Sequence, residues 1–218
     1  MTKLILASAS PRREELLRRM GLPFTVCPSQ IDENDFKDMP ALERVEALAL
    51  AKARDVAATH QDALVIGADT IVVCRGNIMG KPATTAKAVS MLAYLSGRVH
   101  TVYTGIAVVQ APAGPAYSAC VDTDVAFRKL AAPDIAAYVA TGEPMDKAGA
   151  YGIQGLGGLL VTAIKGDYYN VVGLPLGKLQ DLLAKFDYNV WDYIGKEWPG
   201  LAAPGGCEAK SLHEEEVE

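Results

Sequence analysis

A chain of 218 residues, half of them hydrophobic, can bury the core of one domain, or of one domain with two lobes, without disulfide or metal staples. Its net charge of −5 is uneven: from Pro199 onward Glu208, Glu214, Glu215, Glu216 and Glu218 face only Lys210, so the tail carries −4 and the body about −1, and no broad basic field for nucleic acid exists. The cysteines (Cys27, Cys74, Cys120, Cys207) and histidines (His60, His100, His213) are scattered with no CxxC pair, which argues against a zinc site and a disulfide framework and leaves oxygen ligands, hence magnesium or manganese, for any metal.

Lys3 to Ala7 (KLILA) reads as a buried strand. A short serine loop follows, then a helix through Met20, with Ser10 a good N-cap and Pro11 a good first helical residue. Free N–H groups at a helix start draw anions, and two arginines in the first turn oppose the helix dipole unless an anion sits with them. Ser8, Ser10, Arg12 and Arg13 therefore form a candidate phosphate site; the plainer reading is a solvated basic turn continued by Arg18 and Arg19. Phe24 to Cys27 is a second strand. Pro28 to Pro40 is an acidic loop with Asp32, Glu33 and Asp35, either solvated or the source of a second carboxylate for a metal. Ala41 to Thr59 is a helix with Leu42, Val45, Ala49 and Ala53 on one face; Lys52 lies off that stripe, ordinarily a surface position.

Leu64 to Pro82 (LVIGADTIVVCRGNIMGKP) organises the chain. The apolar run Leu64–Ile66 breaks at Gly67-Ala68-Asp69-Thr70, resumes at Ile71–Val73, turns at Arg75-Gly76-Asn77 and reaches Lys81 between Gly80 and Pro82. Gly67 lets the backbone pass close to something, and an ionised Asp69 in an apolar frame is costly unless a cation or metal meets it. Asp69 as a strand-end residue capping backbone amides is the bland alternative.

A helix capped by Thr84 or Thr85 runs through Leu95, with Ala88, Met91, Leu92 and Leu95 inward. His100–Gln110 and Tyr117–Phe127, the latter alternating strictly, make a long antiparallel hairpin. Pro133 to Ala140 is a short helix, and a glycine-rich loop carrying Gln154 leads to a strand over Leu159–Ile164. Gly166 to Gly173 reads as a polar turn holding Asn170, and Pro175 to Phe186 as a helix with Leu176, Leu179, Leu182, Leu183 and Phe186 inward. The last stretch, 198–218, lacks periodicity and reads as a disordered acidic tail after one domain over 1–197. No run is long and apolar enough to cross a bilayer and the N-terminus is no signal peptide, so the expected setting is cytoplasmic, with no membrane partner. The interleaved helices and strands with one long hairpin predict an α/β fold with a mixed, extended sheet.

The familiar motifs fail. Gly76 to Pro82 is one residue short of a P-loop, with Pro82 in place of the hydroxyl that would hold magnesium, and Gly155-Leu156-Gly157-Gly158 lacks the last glycine of GxGxxG. There is no GxSxG elbow, no HExxH, and nothing local supports a Ser8/Asp69/His100 triad. What remains is distributed: a serine and arginine helix end, Asp69-Thr70, Lys81 and Gln154. Cations near a carboxylate suggest a polyphosphate bridged to the protein by a divalent metal, and the amide of Gln154 with the hydroxyl of Thr70 could read the edge of a planar ring.

SASPRR, GADTIVVCRGNIMGKP, LSGRVHTVYTG, AYGIQG and GDYYNVVGLP, in that order between Lys3 and about Trp191, resemble the Maf family of nucleoside triphosphate pyrophosphatases. The resemblance implies an elongated mixed-sheet fold flanked by helices, with two lobes and a central cleft, similar to the inosine triphosphate pyrophosphatases. It implies hydrolysis of a nucleoside triphosphate to monophosphate and pyrophosphate with magnesium or manganese, and a homodimer. By the same resemblance Asp69 matches the general base; Arg12, Thr70 and Gln154 the specificity positions; Ser8, Arg13, Lys52 and Lys81 positions near the phosphates; and Glu33, with Asp69, the metal site. This set is similar to the branch acting on dTTP and UTP rather than the one acting on 7-methyl-GTP; a nucleotide-binding regulator of cell division is the reading from another class.

Overall fold

The runs Leu4–Leu6 and Leu64–Ile66 have no polar side to offer solvent, and both lie inside a sheet. The computed structural model describes residues 2–193, so the expected tail falls outside the described residues. Strands β1 (Lys3–Leu6), β2 (Phe24–Val26), β3 (Ala63–Cys74), β4 (Asn77–Met79), β5 (Val99–Gln110), β6 (Ala116–Phe127) and β7 (Val161–Gly166) form one seven-stranded sheet in the order β2-β1-β3-β5-β6-β7, with β4 on β3. β1 runs parallel to β2 and β3, and the other pairings are antiparallel. Helices α1 (Pro11–Arg19), α2 (Ala41–Ala57), α3 (Thr85–Leu95), α4 (Ala132–Ala140), α5 (Tyr168–Val172) and α6 (Leu176–Ala184) flank it. The fold is the mixed α/β sheet that the pattern predicts. Among the described residues no helix is long and apolar enough to cross a membrane.

Two local expectations are corrected. The polar break at Gly67–Thr70 does not interrupt a strand: β3 pairs with β5 without a gap from Leu64 opposite Gln110 to Val73 opposite Thr101. What breaks is the other edge. β1 lets go of β3 once the Ala7 N–H has reached the Ile66 carbonyl (2.8 Å), and β4 joins only at Val72. The turn expected over Gly166–Gly173 contains α5, because Asp167 accepts the Tyr169 N–H at 2.7 Å and Gly173 closes the helix at φ 115°. On β6 the alternation buries Thr123, Val125 and Phe127 but leaves Tyr117 exposed.

Side-chain alternation along β3 sorts the core. Leu64, Ile66 and Ala68 pack with α1 and α6 residues such as Leu16, Leu17, Leu179 and Leu183. On the same face Val72 and Cys74 pack with Leu92, Leu95, Ile135 and Tyr138 from α3 and α4. Thr70 falls between these two packs. On the opposite face Val65, Ala107 and Val109 meet Ala49, Ala53 and Val56 of α2. That helix sits unusually close: a Cβ on Gly67 would lie 2.1 Å from the Ala49 carbonyl oxygen, and one on Gly105, opposite Asp69, 2.0 Å from that of Val45. The close approach expected at Gly67 is therefore to α2.

Candidate active site

The bare edge of β3 is the floor of a cavity of about 590 Å³. Its walls come from the Ser8–Arg13 segment, Glu33, Lys52, Lys81 and the Asp146–Gln154 loop, so one cleft holds every residue that the family resemblance matches to a site position. Asp69 and Thr70, adjacent on a strand, point to opposite faces of the sheet and meet different partners.

Asp69 faces α2. Its Oδ1 lies 2.7 Å from the Lys52 Nζ, which is also 2.6 Å from Glu33 Oε1. Lys52 is thus no surface residue, its side chain being only 12% exposed. It sits off the helix's apolar stripe because it reaches past that stripe to the open edge of β3, where two carboxylates offset its desolvation. Burial alone would raise the Glu33 pKa, but the hydrogen bond and charge of Lys52, with Lys81 and Arg13 further off, hold it below the usual carboxylate range.

Thr70 faces the other way and meets Arg13, which is buried on α1. The guanidinium donates through Nε to the Gly173 carbonyl (2.8 Å), through NH1 to Ser8 Oγ (3.0 Å) and through NH2 to Thr70 Oγ1 (3.0 Å). Thr104 gives its proton to the Asn170 carbonyl, so at the 3.0 Å contact between the two hydroxyls Thr70 is the donor. The Thr70 hydroxyl therefore accepts from Arg13, donates to Thr104 and keeps one lone pair for a ligand. Burial lowers the Arg13 pKa, with Asp69 pulling the other way.

The two arginines read as a pair diverge. Arg12 turns outward to Asp146 Oδ2 (3.0 Å), whose other oxygen takes Lys147 Nζ (2.6 Å). Ser10 stands at the helix N-cap without capping it; its N–H donates instead to Ser8 Oγ (3.2 Å). Lys81 and Gln154 are exposed to the cleft and, among the described residues, make no side-chain hydrogen bond within the protein. Sequence reasoning missed Arg44, Asp146, Lys147 and Tyr151, all of which line the cavity. Arg44 gives no sequence signal, being one more charged residue in a helix's first turns. Asp146-Lys147 beside a glycine-rich run was visible but had no known partner.

Among the described residues no group of three or more His, Cys, Asp or Glu side chains is placed to hold a metal. Glu33 and Asp69 nevertheless converge on one cationic point, the Lys52 ammonium. Two hard carboxylates with an open cleft beside them fit a magnesium-type ion, which draws its remaining ligands from water and phosphate oxygens.

The sequence family described as Maf-like protein matches residues 3–186. The chain belongs to this family. Among Maf-like relatives, the dTTP/UTP pyrophosphatase of Moorella thermoacetica is 64% identical over 194 residues, 89% of this chain and 100% of its own. That of Symbiobacterium thermophilum is 52% identical over 88% of this chain and 97% of its own, and that of Halalkalibacterium halodurans 53% identical over 82% and 93%. Among solved structures, a HAM1 protein from Coxiella burnetii aligns with 58% of this Maf-like chain and 73% of its own at a TM-score of 0.39 and 17% identity, too distant a likeness to argue from.

Proposed function

We infer that this chain hydrolyses dTTP and UTP to the monophosphate and pyrophosphate. The observation that carries the reading is the buried Asp69 carboxylate on the open edge of β3, in a cleft whose walls supply Lys52, Arg13 and Lys81. Relatives named dTTP/UTP pyrophosphatase, similar along nearly their whole length, support the substrate class.

In this reading Asp69 orients and deprotonates the water that attacks the α-phosphorus. Lys52, 2.7 Å away, holds that carboxylate toward the cleft. Asp69 and Glu33 are the residues that would hold a magnesium or manganese ion, which would supply neutralisation of phosphate charge. The Lys81 ammonium and the two N–H groups that Arg13 has left over among the described residues stabilise charge on the departing pyrophosphate. Ser8 and Ser10 line the phosphate end. The unpartnered Gln154 amide, donor and acceptor at once, suits a uracil or thymine edge, where a ring N–H stands between two carbonyls. Arg12, which must share or leave Asp146 to meet a ligand, and the remaining lone pair of Thr70 complete the selection.

The test is pyrophosphate release across a panel of nucleoside triphosphates with magnesium or manganese, wild type beside Asp69→Asn. Turnover of dTTP and UTP, reduced by ~10²–10⁴ in the variant, is the expected result. Near-normal turnover in Asp69→Asn removes Asp69 from the role of base. Binding without turnover of any nucleotide favours the regulator.

A further inference from the structure

The run Gly152 to Gly158 fits no phosphate-loop spacing, yet its backbone wraps an anion that the protein itself supplies. The N–H groups of Leu156 and Gly157 donate to the Glu143 carboxylate at 2.9 and 3.1 Å. The Tyr138 hydroxyl donates to the same carboxylate at 2.9 Å and accepts the Gly152 N–H at 3.2 Å. The carbonyl of Glu143 is held in turn by Lys147 Nζ at 2.5 Å, and its N–H donates to Thr141 Oγ1 at 3.2 Å. The loop is thus anchored on both sides of Gln154.

The glycines are a condition of this wrapping. A Cβ on Gly155 would lie 2.6 Å from Glu143 Oε2, and one on Gly157 2.6 Å from the Tyr138 hydroxyl and 2.5 Å from the Gly152 carbonyl oxygen. One on Gly152 would lie 2.6 Å from Lys147 Cε. Burial pushes the Glu143 pKa up, but the N–H groups of Gly157 and Leu156, the Tyr138 hydroxyl and the Lys147 charge outweigh it, so the group is ionised at neutral pH. Glu143 itself is not among the residues lining the cleft; Gln154 is.

We propose that Glu143 is a positioning residue for base selection: its carboxylate pins the Gly152–Gly158 loop so that the Gln154 amide is presented to the nucleotide base in one fixed orientation. The inference rests on the reading of Gln154 as a base contact. It assigns the glycine-rich run a role that is neither phosphate binding nor idle flexibility. The N–H groups of Leu156 and Gly157 are spent on an internal carboxylate, so the backbone is held on both sides of Gln154.

The experiment compares wild type, Gln154→Ala, Glu143→Ala, Glu143→Gln and the double variant Glu143→Ala/Gln154→Ala. It reads the ratio of kcat/KM for UTP to that for GTP, together with kcat and KM separately. Because both substrates meet the same preparation, the ratio does not depend on how much of a variant is folded. Gln154→Ala is expected to lower the ratio about tenfold, the discrimination one hydrogen bond carries. Glu143→Ala is expected to lower it comparably, through KM for UTP more than through kcat, and the double variant no further than Gln154→Ala alone. Glu143→Gln, which keeps one acceptor oxygen, falls between Glu143→Ala and wild type. An unchanged ratio in Glu143→Ala, with Gln154→Ala reduced, overturns the inference and leaves the base contact standing. Additive losses in the double variant overturn it too, because Glu143 would then act by another route. An unchanged ratio in Gln154→Ala overturns the base contact and the inference with it.

Discussion

Replacing Gly67 by alanine tests whether the seat of α2 on the sheet sets the catalytic geometry. The new Cβ would lie 2.1 Å from the Ala49 carbonyl oxygen and 2.9 Å from the Ala53 nitrogen, both helix backbone, where ordinary contact begins near 3.4 Å. The helix must retreat by about 1.3 Å, since no flexible side chain can yield in its place. Overpacking of this kind costs about 1–3 kcal/mol, which for a domain of this size lowers Tm by roughly 4–8 °C at the middle of that range. Lys52 rides on the same helix, so its 2.7 Å contact with Asp69 stretches toward 4 Å, beyond hydrogen-bond length. A misplacement of about 1 Å can cost ~10² in rate. The assay is thermal unfolding beside pyrophosphate release from dTTP, corrected for folded fraction. Gly177→Ala on α6, with open space at its Cβ, serves as the control and is expected to gain about 0.5–1 kcal/mol. Wild-type Tm and turnover in Gly67→Ala would refute the argument. Lost stability with full turnover per folded molecule would refute its second half, that α2 places Lys52.

Two further outcomes follow from buried polar groups. His100 is held neutral by burial, its Nε2 2.8 Å from the Tyr151 hydroxyl and its pKa down from 6.5 to about 4. Only the unfolded state therefore takes up that proton between those values, so this contribution to stability is whole above pH 6.5, declines as the pH falls and is gone by about pH 4, a loss of roughly 3 kcal/mol. Unfolding free energies from urea titrations at pH 7, 5.5 and 4 should show wild type losing ground to His100→Phe by that amount; a gap independent of pH would contradict it. Thr104→Val removes the acceptor for the Thr70 proton and the donor to the Asn170 carbonyl. Leaving those groups unpaired should cost about 1–3 kcal/mol, together with a weaker KM for dTTP as Thr70 and Arg13 lose their fixed orientation; calorimetry and steady-state kinetics read both.

The order of elements and the mixed sheet were legible in the sequence because they rest on local apolar periodicity. The strands of the β5/β6 hairpin and the faces of α3 and α6 need only neighbours along the chain to be recognised. The candidate site was legible as a set of residue types: Asp69 in an apolar frame, basic residues at a helix start, an amide in a glycine-rich loop. The pairings within that set were not. Nothing local says that Arg12 and Arg13, adjacent on one turn, diverge to Asp146 and to Thr70, or that Lys52 bridges Glu33 and Asp69 from 19 and 17 residues away. Nor does anything local say that Glu143 fills a loop that resembles a broken phosphate motif. The sequence by itself determined which segments fold into strands and helices and which groups are chemically able to act. Tertiary structure decided which of those groups meet. A carboxylate's partner depends on what packing brings within about 3 Å of it, and here that follows from two glycines that let one helix lie on the sheet and from a stretch of strand edge left without a neighbour.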